Sequence, residues 1–327
     1  MQPIVKAVAG ALGVGTAGLA YGAGYEVRAF RLREADIQCV PADAMPLKIL
    51  HLSDIHLTPA QSKKRRWLQQ LADLEPDLVI NTGDNLAHRK SVPVVLESLG
   101  DLRGVPGVFV FGSNDYWGPL LKSPLRYLLP SGGKKRFHGP PLPWRELRQS
   151  FLDCGWLDLN NNVGALTVNG VRISFAGVDD PHLQYDDLSA VAGPADARAD
   201  LRLGVAHAPY LRVLDAFTSD GYDAIFAGHT HGGQLRIPGV GALVTNCDLD
   251  RKRSRGLSTH RAGGQESWLH VSAGLGTSPY APYRFCCHPE ATLVTLTPRH
   301  SSSREGLTAD HVSAVSLAAE ERLAALG

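Results

Sequence analysis

Five short apolar segments of the chain each lead into side chains that commonly bind divalent metal ions. The segments are rich in Val, Ile, Leu and Phe and are bounded by Gly, Asp or Asn, which is typical of buried β-strands. In chain order, residues 47–52 lead to Asp54 and His56, 78–81 to Asp84, 108–111 to Asn114, 201–206 to His207, and 224–227 to His229 and His231. Because the carboxyl ends of neighbouring strands in an open α/β sheet line one crevice, we expect these side chains to converge on a common site.

Two of the motifs place potential ligands two residues apart. Asp54 and His56 form a DxH pair, and His229 and His231 form an HxH pair. In an extended chain, residues i and i+2 point to the same side. Each pair is therefore predicted to face one metal cluster. By contrast, Asp115, Asp179 and Asp180 are interpreted as residues that cap turns.

The chemistry of these side chains limits which metal they bind. Carboxylate, imidazole and amide groups without thiolate suit divalent Mn, Fe, Zn, Co or Mg. The five cysteines show no CxxC spacing, which argues against a zinc–thiolate site and a disulfide framework. Two ions about 3.5–4 Å apart would clamp a phosphoryl group and lower the pKa of a bridging water. Asp84 is the natural bridge between them, because its two oxygens can reach both ions.

The rest of the chain predicts an α/β fold. Residues 171–176, 268–272 and 291–296 also have the composition of strands, and residues 62–74 carry a helical apolar stripe. Strand, helix and strand at this spacing indicate βαβ units, and the strand-dense middle indicates a second sheet. We predict a catalytic domain over residues 46–298, interrupted by a basic, Pro/Gly-rich insertion at 117–144. A connector at 26–45 and a tail with a helix at 299–327 flank this domain.

The N-terminal residues 1–25 are unusually apolar, with no charged residue from Ala7 to Tyr25. That length is close to the roughly 20 residues that a membrane-spanning helix needs. A membrane anchor, a secretory signal and a helix packed on the domain are the three interpretations. Arg28, Arg31 and Arg33 follow the run, which favours a membrane-associated chain with its catalytic domain in the cytoplasm over an exported one.

The order of the motifs, DxH, GD, GSND, a single His and GHTH, resembles the calcineurin-like metallophosphoesterase superfamily. Residues 228–234 (GHTHGGQ) and 272–278 (SAGLGTS) make the chain most similar to the membrane-associated YkuE-like bacterial branch. The resemblance implies a four-layer α/β/β/α sandwich of two mixed β-sheets flanked by helices. It also implies that Asp54, His56 and His231 hold one metal, that His207 and His229 hold the other, and that Asp84 bridges them.

The third motif departs from the usual GNH(D/E) of the superfamily. Aligned without a gap, Ser113 takes the place of the metal-binding Asn, and Asn114 takes the place of a His that binds phosphate or protonates the leaving group. Either Asn114 reaches the second metal through a small register change, or Ser113 or water fills that place. We predict Asn114 as the ligand. His88, four residues after Asp84, is the candidate for the missing acid, and an exposed histidine without a role is the alternative.

The leading hypothesis is hydrolysis of a phosphate ester, small or lipid-linked, by a metal-activated hydroxide that attacks phosphorus. A phosphodiesterase acting on cyclic nucleotides or other diesters is the second hypothesis, and a metal-binding scaffold with impaired catalysis is the third. The net charge of +1 gives no electrostatic argument for nucleic acid as a partner.

Overall fold

The computed structural model describes residues 15–120 and 139–299 of the 327-residue chain. The strands within these ranges are, in chain order, β1 (Arg31–Val40), β2 (Leu47–Leu52), β3 (Leu78–Asn81), β4 (Gly107–Phe109), β5 (Leu157–Asp158), β6 (Asn162–Val168), β7 (Val171–Val178), β8 (Leu201–Ala206), β9 (Ala224–Ala227), β10 (Arg236–Ile237), β11 (Gly241–Ala242), β12 (Gly256–Ala262), β13 (Gln265–Val271) and β14 (Glu290–Pro298). The α-helices that follow the N-terminal segment are α1 (Ser62–Gln70), α2 (Ser91–Leu99), α3 (Ser113–Tyr116), α4 (Trp144–Asp153) and α5 (Leu211–Ser219).

The strands form two six-stranded mixed sheets and one small hairpin. The first sheet has the order β1-β14-β2-β3-β4-β5, and the second has the order β12-β13-β9-β8-β7-β6. Strands β2 to β5 run parallel in the first sheet, and β7 to β9 run parallel in the second. Parallel neighbours bring their carboxyl ends to the same edge of a sheet, and the loops after these strands carry the predicted metal ligands.

Three apolar cores separate four layers, as the alternation along β2 illustrates. Ile49 and Leu50 are both fully buried, but they belong to different cores, because successive strand residues face opposite sides of a sheet. Leu50 joins the core under α1, α2 and α4, Ile49 joins the core between the two sheets, and a third core lies between α5 and the second sheet. Burial of one such side chain stabilises the fold by about 1.5–3 kcal/mol. The predicted α/β/β/α sandwich is confirmed.

Several strand predictions match the structure at both ends. Residues 47–52, 78–81, 201–206 and 224–227 are β2, β3, β8 and β9, whereas the strand predicted at 108–111 runs from Gly107 to Phe109. The helix predicted at 62–74 is α1 followed by a 3₁₀ turn at Leu71–Leu74. Continuous apolar runs are recognisable because these strands are covered on both faces.

The connector predicted at 26–45 is wrong in its middle part. It contains the ten-residue strand β1, which pairs with β14 in parallel register at the edge of the first sheet. Arg31 and Arg33 flank the buried Leu32, and Asp36 and Gln38 flank the buried Ile37. An edge strand with one partner tolerates such side chains, so its sequence lacks the apolar run that marked the central strands.

The terminal predictions fall largely outside the described residues. The proposed tail helix at 299–327 and most of the insertion at 117–144 are not described, but the ends of the insertion meet where the backbone N–H of Gly118 donates to the carbonyl of Pro140 at 2.7 Å. Of the apolar segment 1–25, residues 15–20 are helical and lead into a π turn at Tyr21–Tyr25. Within the described ranges, no helix combines the length and apolar character needed to span a bilayer.

Candidate metal centre

The loops that follow β2, β3, β8 and β9 bring carboxylates and imidazoles together in two overlapping clusters. One cluster is Asp54, His56 and His231, and the other is Asp54, Asp84 and His207; in each, the candidate ligand atoms lie within 4.8 Å of one another. Asp54, His56, Asp84 and His207 are at most 2% exposed. Side chains from both sheets therefore share one buried site.

Asp84 belongs to the cluster that contains His207 and also approaches His56 of the other cluster. Its Oδ2 is 3.4 Å from Nε2 of His56, and its Oδ1 is 3.6 Å from Nε2 of His207. Asp54 is the residue common to both clusters, and its Oδ1 is 3.7 Å from Nε2 of His231. The two carboxylates thus separate imidazoles from opposite sides of the site, an arrangement suited to two cations.

His229 stands beside these clusters rather than within either of them. Its ring centroid is 5.2 Å from that of His207, and its backbone N–H donates to Oδ2 of Asp54 at 2.9 Å. Its Nε2 lies 3.4 Å from the carbonyl oxygen of Asn246. His229 therefore orients Asp54 through its backbone while its ring lies next to His207.

Asn114 contacts the site through Asp84. Its backbone N–H donates to Oδ1 of Asp84 at 2.7 Å, and its side-chain amide donates to Oδ2 at 2.7 Å. Oγ of Ser113 is 3.4 Å from the same amide nitrogen, so both candidates for the third-motif ligand are adjacent. Asp115 is buried and accepts hydrogen bonds from the backbone N–H groups of Asp84, Asn85 and Gly112. Its carboxylate caps the turn and holds the Asp84 loop against the third motif.

The backbone is left-handed at five of the seven predicted ligands. Positive φ values occur at Asp54 (49°), His56 (43°), Asp84 (57°), His229 (67°) and His231 (49°). Non-glycine residues in this region cost of order 1–3 kcal/mol each and cluster at functional sites. The sequence analysis assumed that the DxH and HxH pairs are extended, and this assumption is wrong. The chain turns sharply after each strand, and these turns bring each pair to the site.

Two glycines allow the strand ends to approach one another. A Cβ at Gly112 would lie 2.3 Å from Oδ1 of Asp84, and one at Gly228 would lie 1.8 Å from Oγ of Ser53 and 2.6 Å from Oδ2 of Asp54. Any side chain at either position would occupy the space of the carboxylates. The glycines of the GSND and GHTH motifs thus have a steric role.

The described residues fit a metal ion because several buried ligand atoms have no hydrogen-bond partner. These atoms are Oδ1 of Asp54, Nε2 of His56 and Nε2 of His207. Leaving such a group buried and unsatisfied costs about 1–3 kcal/mol, more when it is charged. Nδ1 of His207 lies 2.7 Å from the carbonyl oxygen of Thr82, which can only accept, so Nδ1 carries the proton and Nε2 offers its lone pair to the site.

The electrostatics of the cluster favour a bound cation. Burial raises the pKa of Asp54 to about 6 and lowers the pKa of His56 to about 4. Burial also opposes the ionisation of Asp84 and His207, but their mutual attraction prevails: it holds the pKa of Asp84 below its usual value and, with Asp54 and Asp180, raises that of His207 to about 9. The carboxylates thus compete for one imidazolium, and a divalent ion would replace its proton.

His88 is not among the side chains gathered at the site. It is exposed, and its Nδ1 accepts a hydrogen bond from the backbone N–H of Lys90 at 3.1 Å. His182, which the sequence analysis did not single out, lies over His229 with ring centroids 4.4 Å apart. Its Nδ1 is 3.1 Å from the hydroxyl of Tyr210. The only sequence signal for His182 is its position four residues after Val178, where β7 ends.

Arg284 is a second residue that sequence reasoning passed over as a site residue. Its fully buried guanidinium donates to the carbonyls of Ala273, Gly274 and Gly276 at 2.7–2.9 Å and lies 3.4 Å from Nδ1 of His231. The loop it holds contacts Asp54, since a Cβ at Gly274 would lie 2.5 Å from Cβ of that residue. Arg284 therefore positions the loop behind the first cluster.

The profile of the calcineurin-like phosphoesterase family matches residues 47–233 of this chain, more than half its length. The chain belongs to this family. It is thus a metal-dependent phosphoric ester hydrolase, and the matched range contains every predicted metal ligand. The recognition made from the five motifs is confirmed.

Three relatives illustrate how far the similarity extends. The phosphoesterase is 29% identical to the uncharacterized protein YpbG of Bacillus subtilis over 253 residues, covering 77% of this chain and 81% of YpbG. It is 25% identical to the uncharacterized metallophosphoesterase YkuE of the same organism over 316 residues, covering 90% and 96% of the two chains. It is 34% identical to phosphodiesterase YaeI of Escherichia coli over 104 residues, covering 32% and 35%. The similarity to YkuE agrees with the predicted bacterial branch.

Proposed function

We propose that the phosphoesterase holds two divalent ions and hydrolyses a phosphate ester of a small molecule or lipid. The observation that carries the proposal is the set of buried, unpartnered ligand atoms on Asp54, His56 and His207. In this assignment Asp54, His56 and His231 hold one ion, His207, His229 and Asn114 hold the other, and Asp84 bridges them. Bound there, the ions would polarise the phosphoryl group and lower the pKa of a water molecule.

The chain itself contributes orientation and substrate contact. Asp115 fixes the Asp84 loop by accepting hydrogen bonds from the backbone N–H groups of Asp84 and Asn85, and the carbonyl of Thr82 sets the tautomer of His207. We assign His182 to contact the phosphoryl or leaving oxygen, in place of the third-motif histidine that this chain lacks. The ring contact between His182 and His229 supports the assignment. His88 is the alternative, but its exposed ring accepts a hydrogen bond from the backbone N–H of Lys90, so we favour His182.

Hydrolysis of a phosphodiester is the second candidate. It is favoured by the similarity over residues shared with YaeI, which bears the name phosphodiesterase. The two candidates use the same metal ligands and differ in the substituents on phosphorus. Turnover on matched mono- and diesters therefore separates them.

We also propose that residues 7–25 associate the chain with a membrane and that the catalytic domain faces the cytoplasm. The support is the uncharged run itself and the arginines Arg28, Arg31 and Arg33 after it. An exported chain is the alternative. Tagging the C-terminus in cells and testing protease access before and after membrane permeabilisation separates the two.

A metal-loading and turnover experiment tests the proposed activity. The metal-free protein is loaded separately with Mn, Fe, Zn, Co and Mg, and bound ions are counted before chromogenic phosphomonoesters and diesters are offered. We expect two ions per chain and turnover on at least one ester class. Asp54→Asn should lose both, whereas Asp196→Asn should keep both, because Asp196 pairs with Arg172 and Arg198 outside the cluster. Bound metal without turnover on either ester would instead identify a scaffold.

A further inference from the structure

A group of large apolar side chains is exposed on segments that include the hairpin after His231. We use the term apolar rim for this set, whose members are 36–68% exposed: Leu19, Tyr21, Tyr25, Leu235, Ile237, Val240 and Tyr280. They come from three segments, namely the N-terminal segment, the β10–β11 hairpin and the loop that precedes Arg284. Isolated exposed apolar residues are ordinary, but a contiguous group marks an interaction surface.

Phe285 joins the three segments. Its backbone N–H donates to the carbonyl of Gln234 at 3.0 Å, and its carbonyl accepts from the N–H of Arg236 at 2.9 Å, next to the hairpin. Its ring centroid lies 6.3 Å from that of Tyr21 in the N-terminal segment. The side-chain amide of Gln234 also donates to the carbonyl of Ala281, one residue after Tyr280. The three segments that carry the rim are therefore adjacent in the fold.

The rim is directly connected to the metal ligands. The turn at His231–Gly233 leads into Leu235 of the rim, and the backbone N–H of Gln234 donates to the carbonyl of His231 at 2.9 Å. A surface bound to the rim is therefore held close to the cluster that contains His231.

The rim contains no acidic side chain. Residues 15–25, 235–243 and 276–285 include no Asp or Glu, and their charged residues are Arg236 and Arg284. Both guanidinium groups turn inward: Arg284 is fully buried, and Arg236 donates to the carbonyl of Gly232 and to Oγ of Ser254. Removing the rim from water would therefore bury apolar area without burying an unpaired charge. Burial of an unpaired charge is the main cost of such a transfer.

We propose that the apolar rim docks on a lipid bilayer and that the substrate is a phosphate ester carried by a lipid of that bilayer. The proposal rests on the phosphoesterase function proposed above. The chain before the rim supports a bilayer as the occupant, because residues 7–14 are uncharged and lead directly into Gly15. The three tyrosines suit the boundary between headgroups and acyl chains, where their rings are half apolar and their hydroxyls stay hydrated.

Vesicle binding by hairpin variants tests the docking. The full-length, metal-loaded protein is floated with vesicles of phosphatidylcholine and phosphatidic acid, the latter being a lipid phosphomonoester. The variant Ile237→Asp/Val240→Asp changes two exposed rim residues, and Val163→Asp is the matched control, since Val163 is 55% exposed on β6. We expect the double variant to bind vesicles at least about tenfold more weakly and Val163→Asp to bind like the wild type.

Turnover separates the docking from the underlying activity. Hydrolysis of a soluble chromogenic ester reports on the metal site, and phosphate release from the vesicles reports on the docked enzyme. We expect the ratio of vesicle to soluble turnover to fall at least about tenfold in the double variant. The docking proposal alone would be overturned if the wild type hydrolyses soluble esters but the wild type, the double variant and Val163→Asp all bind vesicles equally well. A wild-type dimer that the double variant dissociates in light scattering would also overturn it, because a second copy would then cover the rim. If the metal-loaded wild type hydrolyses no ester, soluble or lipid, the proposed phosphoesterase function itself would be overturned.

Discussion

Asn114 holds the carboxylate of Asp84 by two hydrogen bonds, from its backbone N–H to Oδ1 and from its side-chain amide to Oδ2, each 2.7 Å long. The third motif thereby aligns the residue that faces both His56 and His207. The GSND motif therefore supplies two polar contacts to Asp84 at this point of the site.

We expect Asn114→Ala to weaken binding of the second metal by about 10- to 100-fold, the cost typical of losing a residue that ligates or orients a ligand. The measurement is metal titration by calorimetry with the apoprotein. Ser113→Ala is the comparison, because Ser113 precedes it in the same motif. A loss in Ser113→Ala with normal binding by Asn114→Ala would transfer the role to Ser113.

A single methyl group at Gly112 should abolish metal binding. The Cβ of Gly112→Ala would lie 2.3 Å from Oδ1 of Asp84 and 2.5 Å from the ring of His207, so the carboxylate has to move. Gly104→Ala is the matched control, because no atom lies within 4 Å of the added Cβ there. Metal content after dialysis and thermal unfolding measure the effect. Equal metal content in both variants would show that the carboxylate relocates without loss.

His182→Ala should lower kcat/KM by at least about tenfold while both ions stay bound, because we assign this side chain to the substrate rather than to the metal. His88→Ala tests the candidate that the sequence indicated. Steady-state kinetics on one chromogenic ester, with metal content measured in parallel, compares the two. A larger loss in His88→Ala than in His182→Ala would restore the sequence candidate.

Acid should destabilise the fold through the buried pair His51 and His270, whose Nδ1 atoms are 2.8 Å apart. Burial lowers the pKa of His51 well below its usual value and that of His270 to about 4. Unfolded histidine titrates near about 6.5. As pH falls from about 6.5 towards 4, the unfolded state therefore binds more protons than the native state, and the free energy of unfolding falls by up to about 1.4 kcal/mol per pH unit for each histidine.

Urea unfolding of the metal-free protein at several pH values measures this slope. The variant His51→Phe/His270→Leu should flatten it by up to about 2.7 kcal/mol per pH unit, whatever its effect on absolute stability. The exposed His88→Gln is the control that should leave it unchanged. Parallel slopes in the wild type and the double variant would mean that other groups cause the acid sensitivity.

The sequence by itself determined the central strands and the residues that follow them. β2, β3, β8 and β9 are continuous apolar runs because both of their faces are buried, and such runs are visible without any neighbour. The types of side chain after these strands also indicate a metal, since ligand preference is a property of the groups themselves. The family followed from their order.

Only the tertiary structure decided which of these groups meet and how. β1 reads as a connector until β14, some 250 residues away, supplies its hydrogen bonds. His182 has no recognisable motif and gains its place from the ring of His229. The left-handed backbone at Asp54 and His56 likewise persists only because the surrounding loops hold it. These features depend on contacts between distant segments, whereas local composition carries information only about a residue's own strand or turn.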